Sequence, residues 1–380
     1  MEVLSWRHRC SRRDVLKLTA AGAVALSTSA LLPTPKACAS SGELNLFFWP
    51  DEVPAGLLEG FTRKTGIRVN LVGFGSNNEL LARLRAANGR GYDIVSPTYS
   101  QGRYWEQLGL TQAWDPSRVP LANISDQGLR LVRDWEFDNR GPHWLPHVWG
   151  AHGIAWHTER WQPDGLLPSY GDIWDDANAG KVMGDTRGLM LGTCLWLEET
   201  GVLESGALVA AYRTEKAFRR IWDVVLDFCV RKKKNLKLLW NGADMQRQGF
   251  MQYGVALGIT WDGPPTAMKN QGLPIMFRSP REGALGWVDG MSLLKKAENL
   301  DAAYAFVNYV CTAEVAGRAM NAHGYNSFVR GAVEHAGEQY RGNFADAYPG
   351  DALSRMIMLP MRPAWYTELN TDYENRFKNA

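Results

Sequence analysis

Between residues 44 and 96 the chain alternates three apolar runs with two helix-like stretches, and this alternation limits the fold more than any other feature. Residues 44–49 are an apolar run expected to be a buried strand. Residues 51–65 place Leu57, Leu58 and Phe61 on one helical face, with Pro54 in the first turn and Gly66 as the stop. Ile67, Val69 and Leu71 alternate as in a strand. Ser76-Asn77-Asn78-Glu79 has the form of a capping box, and Leu80, Leu81 and Leu84 follow at helical spacing. Residues 92–96 read as a third strand, closed by Pro97. Strand and helix repeated at this spacing predict an open parallel α/β sheet, in which ligands bind beyond the carboxyl ends of the strands. Trp49 lies at one such end, and Thr98 and Ser100 lie just past another.

Further along, residues 144–157 are apolar and aromatic and are expected to lead into a second lobe. A short strand is expected at 181–184, ending at Asp185. Phe218, Ile221, Trp222, Val225 and Cys229 define an amphipathic helix, ended by the basic run 231–234. That run reads as a solvated helix end favoured by the helix dipole, not as a phosphate site. Residues 255–260 form another strand, and 287–294 a passage back to the first lobe. Asn299 is expected to cap a helix, and a second helix is expected to stop at Gly324. Residues after about 340 read as irregular and aromatic.

The first 39 residues read as a targeting segment. Arg7, Arg9, Arg12 and Arg13 precede an apolar, small-residue stretch, and Ala37-Cys38-Ala39 ends it as a cleavage site would. Ser11-Arg12-Arg13-Asp14-Val15-Leu16-Lys17 resembles a bacterial twin-arginine export signal, which implies a periplasmic protein. A membrane anchor is the alternative, but Gly22, Thr28 and Pro33 interrupt the apolar part. A lipid on Cys38 is another, for which Pro35-Lys36-Ala37 is a poor lead-in. Removing this segment takes away six of 42 bases and two of 40 acids, leaving 36 and 38 and a net charge of −2. Nothing basic then suggests nucleic acid. Cys194, Cys229 and Cys311 remain, widely separated and in apolar surroundings, with no disulfide framework or zinc spacing.

Two similar stretches stand out: Thr260-Trp261-Asp262-Gly263 and Gly286-Trp287-Val288-Asp289-Gly290. Each sets a Trp beside an acid, with glycine close by. An indole face attracts a cation, and a nearby carboxylate can pair with it. Against this, Trp is readily core and an Asp before Gly is readily a turn residue.

Taken with these boxes, the stretches Phe48-Trp49-Pro50-Asp51-Glu52-Val53-Pro54, Tyr92-Asp93-Ile94-Val95-Ser96-Pro97, His147-Val148-Trp149-Gly150 and Gly324-Tyr325-Asn326 resemble, in order and spacing, the spermidine/putrescine-binding proteins of bacterial ABC importers. The resemblance implies a two-lobe α/β periplasmic-binding-protein-like fold. Each lobe is then a central sheet flanked by helices, with the ligand cleft between them. It implies a first lobe over residues 40–150, a second over 151–286, a return to the first over 287–340, and a C-terminal segment, 341–380, packed on both. It implies a small organic amine as ligand, an inner-membrane ABC permease as partner, a monomer, and no cofactor, metal or catalysis. Carried over motif by motif, the cleft residues are Trp49, Thr98, Asp185, Trp261, Trp287, Asp289 and Tyr325. Glu52 stands where the family tends to have Tyr, Ser100 replaces a second Tyr, and Gly188 replaces the acid expected to hold a polyamine's other ammonium. Glu52 is therefore either an added cleft acid or an acid at a helix start. Asp185 either faces the ligand or pairs with Arg187.

The competing class is a secreted hydrolase using paired carboxylates such as Asp262 and Asp289. No G-x-S-x-G elbow or H-E-x-x-H motif accompanies them. His152 and His157, an odd number apart in a strand-like run, face opposite sides. Within the binding class a zwitterion is the rival ligand, and it would require a basic residue such as Arg187 in the cleft.

Overall fold

The computed structural model describes residues 42–380. The expected export signal and Cys38 lie outside the described residues. Twelve strands are present among these: β1 (Glu43–Phe48), β2 (Arg68–Gly73), β3 (Ile94–Val95), β4 (Thr111–Gln112), β5 (Leu145–His157), β6 (Val182–Gly184), β7 (Leu236–Leu239), β8 (Leu257–Trp261), β9 (Ile275–Arg278), β10 (Leu285–Leu294), β11 (Asn326–Ser327) and β12 (Ile357–Met358). Their order is β2-β1-β3-β10-β5-β8-β6-β7. β1 runs parallel to β2 and β3, and β6 runs parallel to β7 and β8. These are the two parallel sheets of a two-lobe α/β fold.

Two long antiparallel strands join the lobes. β10 pairs with β5 from Leu285 to Met291, then with β3 and β4 from Ser292 to Leu294. β5 spans the boundary expected after residue 150 without a break, and β10 does the same across 286 and 287. Both strands are buried almost throughout, as strands covered on two faces must be. The register of β10 on β5 shifts between Asp289 and Gly290. Such a bulge bends a strand locally and re-aims its side chains.

Local chemistry corrects several expectations. The segment 51–65 is not one helix: a 3-10 turn, Pro50–Glu52, is followed by a helix, Ala55–Thr65, with Pro54 as its N-cap. A residue before proline is disfavoured in helical conformation, so Val53 interrupts the run. Asp51 and Glu52 therefore sit on the turn that leaves β1, and Glu52 is not an acid of a helix start. Ser76 does accept the Glu79 N–H, but Glu79 answers through the Gly75 N–H and leaves that of Ser76, so only half of the box forms. Asn299 precedes the helix Leu300–Val310 without capping it through its side chain. Asp93 instead anchors the segment that leads into the helix, accepting the N–H groups of Glu298 and Asn299.

The tail is ordered too. Helices Glu338–Ala347 and Tyr366–Asn379 replace the irregular segment expected there. Tyr366, Leu369, Tyr373 and Phe377 form one buried stripe against Phe218, Trp222 and Tyr212 of the second lobe. Each such burial contributes about 1.5–3 kcal/mol. The basic run after helix Glu215–Arg231 is spoken for by the scaffold. Lys232 and Lys234 pair with Asp176, and Lys233 donates to the carbonyls of Phe377 and Lys378. Cys194, Cys229 and Cys311 are buried and free.

Candidate functional site

Parallel strands from both lobes point their carboxyl ends at one cleft. Trp49 follows β1, Thr98 follows β3, Asp185 follows β6, and Trp261 ends β8. Trp287 and Asp289 lie on β10 two residues apart, so they share a face of the strand. Tyr325 follows the left-handed Gly324 that stops the helix Ala313–His323. Thr98 and Asp289 also form an isolated antiparallel bridge.

The inner chamber of this cleft is narrow, about 60 Å³. Trp49, Glu52, Thr98, Trp261, Trp287, Asp289 and Tyr325 all line it, which is every expected ligand residue but Asp185. Asp185 lines an adjoining outer chamber of about 470 Å³, and the two chambers share Trp49, Trp261, His152 and Arg187.

Indole rings form the walls. Trp261 meets Trp49 edge-on at 6.1 Å between ring centroids and Trp287 at 6.4 Å. Trp287 in turn meets Tyr325 at 5.2 Å and 77°. Two glycines permit this packing: a Cβ on Gly263 would lie 2.2 Å from the Tyr325 ring, and one on Gly150 2.5 Å from Trp287. The indole N–H groups of Trp49 and Trp287 are buried with no partner. Buried donors without partners are rare, and here they face a cavity.

Three carboxyl groups converge on the inner chamber: Asp51, Glu52 and Asp289. Ser96 donates to Glu52 at 3.2 Å, and Tyr325 donates its hydroxyl to Asp51. Thr98 lies beside Asp289 across their backbone bridge, its hydroxyl held by the Asn77 amide at 2.8 Å. Burial raises all three carboxyls. It pushes Asp289 up to about 6, against the hydrogen bonds of Thr98 and Glu52. Glu52 is pushed well above the usual carboxylate range, by burial first and then by the charge of Asp289. Two carboxyls in one dry site each make the other harder to ionise. Asp289 Oδ1 remains buried and unpartnered. A cation would relieve all of these costs at once.

The other end of the cleft is different. Asp185 caps the helix Thr186–Glu199 by accepting the Gly188 N–H at 3.0 Å. Its second oxygen lies 3.5 Å from His152 Nε2. It forms no ion pair with Arg187. The same His152 nitrogen is 3.0 Å from Trp261 Nε1, which can only donate. That nitrogen therefore accepts from the indole wall and has no proton left for Asp185, whose Oδ1 is buried without a hydrogen-bond partner. Burial raises the Asp185 pKa, but the groups around it, the Gly188 N–H and the Arg187 charge among them, outweigh it and bring the carboxyl below its ordinary value. A side chain at Gly188 would lie 2.3 Å from Asp185 Oδ1 and 3.0 Å from His152. The acid that the resemblance leads one to look for has no room here.

The two Trp–acid boxes part company. Asp262 is buried behind the wall, accepting the Ala151 N–H at 3.1 Å, the Asn326 amide at 3.0 Å and the Tyr348 hydroxyl at 2.7 Å. Its oxygens are filled by the scaffold, which removes it from any catalytic pair with Asp289.

Residue-by-residue reading missed Asp51, Asn77 and His152 as lining groups. Asp51 adjoins Glu52 on the same turn, and that adjacency was its only signal. Arg187 does face the cleft, as the zwitterion alternative requires.

Residues 56–344 match the family described as bacterial extracellular solute-binding protein. The chain belongs to that family. Two relatives give the detail. The spermidine/putrescine-binding periplasmic protein of Escherichia coli (strain K12) is 27% identical over 310 residues, covering 81% of this chain and 82% of that one. The putrescine-binding periplasmic protein SpuD of Pseudomonas aeruginosa is 27% identical over 325 residues, 80% of each chain. Among solved structures, the spermidine/putrescine ABC transporter substrate-binding protein PotD from Streptococcus pneumoniae superposes with a TM-score of 0.66 at 21% identity, covering 88% of this chain and 99% of that one. As a member of this solute-binding family the chain is not an enzyme, and the hydrolase alternative falls with that assignment.

Proposed function

We propose that this chain captures a small organic amine of the putrescine and spermidine class, or a relative of it, and presents it to an inner-membrane permease. The observation that carries the reading is the open, buried oxygen of Asp289, set among indoles with Glu52 and Asp51 beside it. Asp289 would pair with the ammonium. Trp49, Trp261 and Trp287 would cover its methylenes, each worth roughly 0.8 kcal/mol on burial, and face its charge. Thr98 and Tyr325 would fix orientation. Glu52 would supply a second acid, and Asp185 would close the far side. The names of the relatives support the amine class, and the carboxyl cluster supports a cation independently of them.

In this reading the lobes divide at residues 40–150, 151–286, 287–340 and 341–380, and the hinge lies in β5 and β10. Ligand favours closure only through contacts made better in the closed state. The chain acts as a monomer in the periplasm after export by the twin-arginine route. Calorimetric titration of the mature chain with putrescine, spermidine and other amines tests the proposal. Micromolar binding without chemical change, with compaction in solution scattering, is expected. An Asp289→Asn variant that binds as tightly as wild type would remove Asp289 from the site.

A further inference from the structure

The outer chamber carries the opposite charge. Arg187 borders both chambers and Arg362 lines the outer one. Arg362 is 7% exposed. Neither guanidinium forms an ion pair or a side-chain hydrogen bond among the described residues. The buried Arg187 atoms without partners are Nε and Nη2, and on Arg362 it is Nε. Nε–H and Nη2–H lie on one edge of a guanidinium and point the same way, the fork that a carboxylate accepts with both oxygens. Arg362 stacks over the Tyr366 ring at 5.4 Å, which holds it in place without neutralising it.

The carboxylates nearest this end are only half engaged, and neither forms an ion pair with Arg187 or Arg362 among the described residues. Asp185 Oδ2 accepts the Gly188 N–H while its Oδ1 has no partner, and one Glu374 oxygen accepts the Asn370 amide at 2.6 Å. The two guanidiniums also repel one another; burial and then the Arg187 charge lower the Arg362 pKa to about 10. Asp185 and Glu374 attract Arg187 without closing an ion pair, so the two buried like charges stay incompletely compensated, and an anion from the ligand offsets that cost.

We infer that the ligand is bipolar: a short ω-amino carboxylic acid, with its ammonium at Asp289 in the inner chamber and its carboxylate on the Arg187 fork, Arg362 behind it. This rests on the amine reading above and narrows it. A diamine would place its second ammonium beside two guanidiniums, with Asp185 as the acid at hand and none added at Gly188. The cleft therefore prefers amino acids of this shape to diamines of equal length.

Calorimetry with 4-aminobutyrate, 5-aminopentanoate, 6-aminohexanoate, putrescine and spermidine tests it. At least one of the amino acids binds wild type about tenfold or more tightly than putrescine. Arg187→Gln loses about tenfold for that amino acid and gains severalfold for putrescine, because a repulsion is removed. Arg187→Lys recovers part of the amino-acid affinity. Diamines binding more tightly than every amino acid would overturn the inference and leave the amine reading standing. Equal losses for both ligand classes in Arg187→Gln, with Arg187→Lys no better, would also overturn it. Binding of neither class to wild type would sink both.

Discussion

Two stretches of this chain look alike and do different work. Trp261-Asp262 and Trp287-Val288-Asp289 each join an indole to a carboxyl, both acids are buried, and burial raises both, to about 7 and about 6. Yet Asp262 has its oxygens filled by three scaffold donors, while Asp289 keeps one oxygen open to a cavity. The difference is one residue of spacing. In an extended chain adjacent side chains point to opposite faces, and those two apart share one. Trp261 turns to the cleft and Asp262 turns away. Trp287 and Asp289 turn to it together, and the bulge after Asp289 fixes its aim. Composition marks both boxes as sites, but periodicity separates the one that faces ligand from the one that holds the wall.

The contrast can be broken by substitution. Asp262→Ala leaves the Ala151 N–H, Asn326 and Tyr348 without their acceptor, and should cost about 3 kcal/mol of folding stability in urea denaturation. A loss below about 1 kcal/mol would mean that the scaffold role is misassigned. Asp289→Asn should behave in the opposite way. Amine affinity falls about tenfold or more, roughly 1.4 kcal/mol, while the empty protein is at least as stable as wild type at pH 7.

Acidity sharpens the same comparison. Only the ionised form of Asp289 pairs with ammonium, so affinity rises with pH through about 6, and titration at pH 5 should be up to about tenfold weaker than at pH 7. Stability of the empty chain runs the other way. Both acids have folded values above their unfolded ones. Their contribution is complete below the usual Asp value near 3.8 and is lost as pH rises through about 6 to 7. Added amine should therefore raise the melting temperature more at pH 8 than at pH 5, and a shift that does not depend on pH would count against the pairing. The smallest effect is expected at the wall: Trp287→Phe keeps an aromatic face but loses the indole N–H, and should weaken binding about threefold by calorimetry.

How much of this was legible in the sequence follows from where each partner comes from. The strands Glu43–Phe48, Arg68–Gly73 and Ile94–Val95 announce themselves as short apolar or alternating runs, and the helix Glu215–Arg231 by the helical spacing of its buried face. The Tyr366–Asn379 helix carries an equally periodic stripe. It was passed over because prolines and aromatics crowd the segment before it and its partner surface lies some 150 residues earlier. In the site, Trp49, Trp287 and Asp289 sit at strand ends or on a shared strand face, where local pattern suffices. His152, Arg187 and Arg362 matter through neighbours from distant segments. Nothing near His152 in sequence shows that it accepts from Trp261. Arg187 was visible only as a condition that a zwitterionic ligand would impose.

A crystal structure of the chain with its tightest-binding amine tests the central claim most directly. The account places the ligand nitrogen about 3 Å from Asp289 Oδ1, inside the ring of Trp49, Trp261 and Trp287, with the scaffold contacts of Asp262 unchanged. An ammonium seated elsewhere, with that oxygen left to water, would contradict it.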